Sequence, residues 1–111
     1  MEVTESRAGN ATTLRVVGRF DSSVSKIFED KVGQVISRAD VIILDLGEMI
    51  YVSSAGLRSF ITLAKHARSK NQRVSLCAMR EEITEIFEIS GLLDLFAIYD
   101  SVEAAVSAQP R

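Results

Sequence analysis

The 111-residue chain has one cysteine, one histidine, one proline and no tryptophan. A single cysteine excludes an internal disulfide and any cysteine-built metal cluster. Cys77 lies in the apolar run "VSLCAM", which points to an inert buried thiol rather than a nucleophile. The lone imidazole, His66, sits in the polar stretch "AKHARSK" and reads as a solvated helix residue, not a placed general base. The acids Asp45, Glu48 and those between Glu81 and Glu88 are scattered or lie along a helix surface, so no metal site is expected. Gly47 and Gly56 stand alone, without the spacing of a phosphate-cradling or dinucleotide loop. No cofactor is expected, and the chain does not read as an enzyme or nucleotide binder.

Charge of one sign is also scarce. Thirteen Lys and Arg face fifteen Asp and Glu, a formal net charge of -2, which excludes the basic footprint of a nucleic-acid partner. No apolar run approaches about 18 residues, and "MEVTESRAGN" lacks the basic flank and apolar segment of a secretory signal. The expectation is a soluble, cytoplasmic protein with no direct membrane insertion. Hydrophobic residues make up 47% and charged residues 25%, enough to bury a core, and the length suits a single domain over 1–111. No internal repeat, low-complexity tract or Pro/Gly-rich linker divides it, and Pro110 stands at the end.

Periodicity supplies the elements. "TTLRVVGRF" alternates Leu14 and Val16 on one side and meets Gly18, predicting a strand that ends in a turn, with "MEVTES" as a hairpin partner. From "DSSVSKIFEDKVGQVISR", residues Val24, Ile27, Phe28, Val32, Val35 and Ile36 fall on one helical stripe, with Asp21 or Ser22 as N-cap. "VIILDL" is apolar at five of six positions and suits a central strand buried on both faces. A loop, "GEMIYV", then leads to the helix "SSAGLRSFITLAKHARSK", with Leu57, Phe60, Ile61, Ala64 and Ala67 on its inner face. "RVSLCAM" completes a βαβ unit, so the sheet is at least partly parallel. "EEITEIFEISG" predicts a helix with Ile83, Ile86 and Phe87 inward and Gly91 as its C-terminal cap, followed by a short strand at "FAIY". A last helix follows Asp100, whose pairing with Glu103 resembles a capping box, and turns Val102, Ala105 and Val106 inward.

The stretch "YVSSAGLRSF" places two serines where strand gives way to helix. One of them is an N-cap in the plainest account, accepting a backbone N–H. In the functional account a hydroxyl at the C-terminal edge of a sheet is open to a kinase, and its phosphate would meet free helix N–H groups and the positive end of the dipole.

These residues bear a family resemblance. "VIILDLGEMIYVSSAGLRSF" resembles the STAS domain, in particular the single-domain bacterial anti-sigma factor antagonists, and the likeness extends to "VVGRFDSSVSKIFEDKV" and "EIFEISGLLDLFAIYDSVEAAV". It implies an α/β fold, a STAS-like mixed β-sheet of four to five strands with about four helices packed against it. It further implies partner switching. The unphosphorylated antagonist binds an anti-sigma factor that is also a serine kinase, phosphorylation of one serine ends binding, and a metal-dependent serine phosphatase restores it. The family's Ser-x-Gly-Leu falls on Ser54, Ala55, Gly56 and Leu57, making Ser54 the implied phosphoacceptor. Many members carry Asp before that serine, where this chain has Ser53, which keeps Ser53 as a competing acceptor. The partner surface is expected from Met49, Tyr51, Val52, Ser53, Ser54, Gly56, Leu57 and Arg58, with Asp21 and Ser22 beside it. The alternative is a STAS module that binds constitutively, as a subunit of a lipid-transport ATPase or of a larger signalling complex.

Overall fold

In the computed structural model, which describes residues 2–8 and 10–109, β1 (Glu2–Ala8) pairs antiparallel with β2 (Ala11–Phe20). A helix, α1 (Ser25–Ile36), follows before β3 (Val41–Val52), α2 (Ser54–Ser69) and β4 (Arg73–Cys77). Next come α3 (Glu81–Ile89), a 3-10 turn at Leu92–Leu95, β5 (Ala97–Tyr99) and α4 (Val102–Ser107). The sheet order is β1-β2-β3-β4-β5, and every pairing after the first is parallel. Five strands and four helices therefore form the mixed α/β architecture expected.

β3 is central and buried on both faces. Ile42, Leu44 and Leu46 join the main core, while Val41 and Ile43 join a second cluster with Ala11, Cys77 and Ala105. The second cluster is covered by α4 through Ala105, Val102 and Val106. There burial pushes the Cys77 thiol up to about 12, with the carboxylates of Asp45 and Glu103 adding to the effect, so it is protonated at neutral pH. In the main core Phe20, Phe28 and Phe60 pack with ring centroids 4.9 to 5.4 Å apart, and Phe87 meets Phe60 edge-on at 5.2 Å. Each buried ring adds about 1.5–3 kcal/mol of transfer free energy, so this cluster anchors α1, α2 and α3 to one face of the sheet.

Four local expectations are corrected. β2 does not turn at Gly18 but runs through it to Phe20, because Gly18 adopts φ 103° at a register shift and so absorbs the irregularity. "GEMIYV" is not a loop, since β3 continues to Val52 and pairs Arg19 with Tyr51 and Phe20 with Val52. The apolar and β-branched residues of that stretch satisfy a strand once the bulge accommodates Gly47. α1 begins at Ser25 with Val24 as its N-cap, not at Asp21 or Ser22. Asp21 instead holds the preceding turn, accepting at Oδ1 from Ser23 N–H (3.0 Å) and Ser23 Oγ (2.5 Å). With that start Ile27 lies on the outer face, 58% exposed, while Phe28 takes the core position. The N-cap of α4 is Ser101, accepting from Ala104 N–H at 3.0 Å, and not Asp100. Gly91 does end α3 in the left-handed conformation, at φ 75°.

β1 is tied to α1 by Glu5, which contacts Arg38 at 2.6 Å, Lys31 at 3.4 Å and its neighbour Arg7 at 3.6 Å. The hydrogen bond from Arg38 and the nearby cations hold the Glu5 carboxyl down at about 2, against an ordinary 4.5. A depressed carboxyl stabilises the fold at pH values above its unfolded pKa, and that contribution fades as pH falls from about 4.5 toward 2. Glu5→Gln is therefore expected to flatten the fall of Tm across that window, measured by thermal denaturation at stepped pH, with no change in shape above pH 6. Among the described residues, no helix is long and apolar enough to cross a membrane.

Candidate functional site

The C-terminal ends of β2 and β3 lie side by side, and Ser53 N–H donates to Phe20 O at 2.8 Å as the chain leaves β3. That hydrogen bond brings the Asp21–Val24 turn next to the start of α2. The two serines then divide their roles. Ser53, extended at φ -86° and ψ 173°, is the N-cap of α2, and its Oγ accepts from Gly56 N–H at 3.1 Å. A serine cap of this kind adds about 1 kcal/mol. Ser54 is the first residue of the helix, its side chain is exposed, and Oγ has no hydrogen-bond partner among the described residues. No acidic residue occupies the first turn of α2 to offset the positive end of its dipole.

Gly56 is the point of closest approach between α2 and the sheet. A Cβ there would lie 2.7 Å from Phe20 Cδ1, 2.8 Å from Val52 Cγ2 and 3.0 Å from Phe20 O. The glycine of the Ser-x-Gly-Leu stretch is thus required by space, and it lets the helix start press onto the strand ends. Leu57, the next residue, is half-buried and packs against the main core.

The other expected contact residues are sorted by the register shift in β3, which leaves Ile50 unpaired between Met49 and Tyr51 and so breaks the simple alternation of faces. Met49 is fully buried and Val52 is 5% exposed, both within the main core, so neither offers a surface. Gly56 is buried beneath the helix. Tyr51, Ser54, Arg58 and Ser22 are exposed, and Asp21 is half-buried, its carboxyl held below the usual range by the hydrogen bonds from Ser23. Ile50 and Arg19 join them. Ile50 is 56% exposed, and Arg19 places its guanidinium 4.2 Å from the Tyr51 ring centroid. The bulged register that pairs Arg19 with Tyr51 creates this stack, and no periodicity rule reveals a bulge.

The arrangement is an exposed hydroxyl in a surface of mixed apolar and cationic character. Among the described residues, no side chain is hydrogen-bonded to Ser54 Oγ as a base would be. Among the described residues, no group of three His, Cys, Asp or Glu side chains could hold a metal.

The chain is a small α/β module built on a parallel-rich sheet, and sequence comparison assigns the family. The STAS domain pattern matches residues 3–105, and the chain belongs to the STAS domain family. It is 43% identical over 67 residues to BtrV of Bordetella bronchiseptica, named as a candidate anti-sigma factor antagonist, covering 60% of this chain and 58% of that protein. The match thus spans little more than half of BtrV's length. Over 84 residues, 75% of this chain and 74% of the relative, it is 29% identical to the anti-sigma-B factor antagonist of Listeria monocytogenes. The fold is that of the Bacillus protein SpoIIAA. Its unphosphorylated form superposes with a TM-score of 0.82 at 16% identity, covering 96% of this chain and 94% of SpoIIAA. Its phosphorylated form gives 0.76 at the same identity, covering 96% and 97%.

Proposed function

We propose that this chain is an anti-sigma factor antagonist working by partner switching, with Ser54 as the switch. It is a binding protein rather than an enzyme, and it acts in the cytoplasm as one STAS unit. When Ser54 is unmodified, the surface around Tyr51, Ser54, Arg58 and Ser22 binds an anti-sigma factor that carries serine kinase activity. The kinase then transfers the γ-phosphoryl group of ATP to Ser54 Oγ, which gives up its proton as ADP departs. A metal-dependent serine phosphatase hydrolyses the phosphoserine to serine and inorganic phosphate, resetting the switch.

The observation that carries this reading is the division between the serines. Ser53 Oγ is engaged with Gly56 N–H, whereas Ser54 Oγ is exposed and unpartnered among the described residues. A kinase reaches Ser54 without breaking the helix cap, while phosphorylating Ser53 would disturb the hydrogen bond its Oγ accepts from Gly56 N–H. Relatives named anti-sigma factor antagonists support the same direction.

The test is intact-mass and peptide mass spectrometry after incubation with ATP and the anti-sigma factor kinase. One added phosphate mapped to Ser54, absent from Ser54→Ala, is the expected result. A phosphate on Ser53 would keep the switch and move its site. No phosphate at all would favour a constitutive binding subunit, with both serines serving only the helix start.

A further inference from the structure

Arg58 stands four residues after Ser54 on α2, and both side chains are exposed. Residues at this spacing share a helix face one turn apart, and a helical side chain leans back over the turn preceding its own Cα. At this spacing the Arg58 guanidinium is within reach of the turn that begins with Ser54. An anion N-terminal to a cation at this spacing is also the favourable order along the dipole.

The surrounding charges leave Arg58 available. Arg19 is stacked on the Tyr51 ring, and Asp21 is held by Ser23. Glu29, reaching across from α1, accepts from Ser59 Oγ at 3.2 Å. The first turn of α2 contains no carboxylate, and Arg58 has no ion-pair partner among the described residues.

Resting on Ser54 as the modified residue, the geometry points to Arg58 as an internal clamp for phosphoserine 54, pairing its guanidinium with the phosphate oxygens across one helical turn. Phosphorylation then acts twice. It adds negative charge to the partner surface, and it withdraws the cation of Arg58 from that surface by engaging it within the chain. Guanidinium and phosphate suit each other because the planar fork supplies two parallel donors.

The clamp is tested on protein with phosphoserine incorporated at position 54 during translation, so the experiment does not depend on any kinase. Phosphorus NMR titration reads the second phosphate ionisation, near pH 6 for an unpaired phosphoserine. The wild-type value is expected about 0.5 below that of Arg58→Gln, because the cation favours the dianion. Arg68→Gln, which removes the same charge near the far end of α2, is expected to leave the wild-type value unchanged. Identical titrations for wild type and Arg58→Gln would overturn the clamp, as would an equal shift from Arg68→Gln, which would make the effect one of net charge. Failure of the kinase to modify Ser54 would instead overturn the switch and leave this titration readable.

Discussion

Ser54→Asp and Ser54→Glu are expected to weaken binding to the anti-sigma factor kinase by about 100-fold or more, while Ser54→Ala binds within about twofold of wild type and stays bound when ATP is added. Ser54 is exposed at the start of α2 in the free chain, so a carboxylate there is fully hydrated and leaves folding nearly unchanged. Docking a partner over the same spot strips that hydration. An unpaired charge left in an interface costs several kcal/mol, and each 1.4 kcal/mol is a factor of ten in affinity. Alanine removes only a hydroxyl that has no partner among the described residues. The acidic variants are milder than phosphate, since they carry one charge rather than about two and their shorter side chains reach Arg58 less well. Titration calorimetry with and without ATP separates the cases. Equal affinities for the alanine and acidic variants would show that charge at this position does not control binding.

The regular elements were legible because their signals are local. "VIILDL" reads as a doubly buried strand, and β3 does bury Ile42 and Leu44 on one face and Val41 and Ile43 on the other. The inner face of α2 follows its spacing, although Ser59 and Leu63 are buried as well. Departures arose where a backbone irregularity outweighed the pattern. Gly18 and Gly47 look like strand ends, yet a register shift in β2–β3 carries both strands on to Phe20 and Val52. That extension decides the site, because it turns Met49 and Val52 inward and stacks Arg19 on Tyr51. The serine motif itself was visible in the sequence, but which serine caps the helix depends on a single hydrogen bond, from Gly56 N–H to Ser53 Oγ.

Gly56→Val is expected to be the most disruptive change at the site, destabilising the fold by about 3 kcal/mol, near the upper end for overpacking a core. Placing a Cβ 2.7 Å from the Phe20 ring and 3.0 Å from the Phe20 carbonyl oxygen requires either the ring or the helix start to move. Phe20 is held against Phe28 and Phe60, so the ring has little room to yield. The helix start must therefore lift, which strains the Ser53 N–H bond to Phe20 O and tilts Ser54 away from the strand edge. Removing a glycine from a helix interior ordinarily gains up to about 1 kcal/mol with alanine, so Gly56→Ala measures the contest directly. The steric term wins if Gly56→Ala also lowers Tm. Gly33 is the control, because a Cβ there meets nothing within 4 Å, and Gly33→Ala at this exposed position of α1 is expected to raise Tm slightly. For a domain of this size 3 kcal/mol corresponds to a fall of roughly 10 °C or more. If Gly56→Val instead melts with the wild type, α2 is not pressed onto the strand ends, and the exposed setting of Ser54 would have another cause.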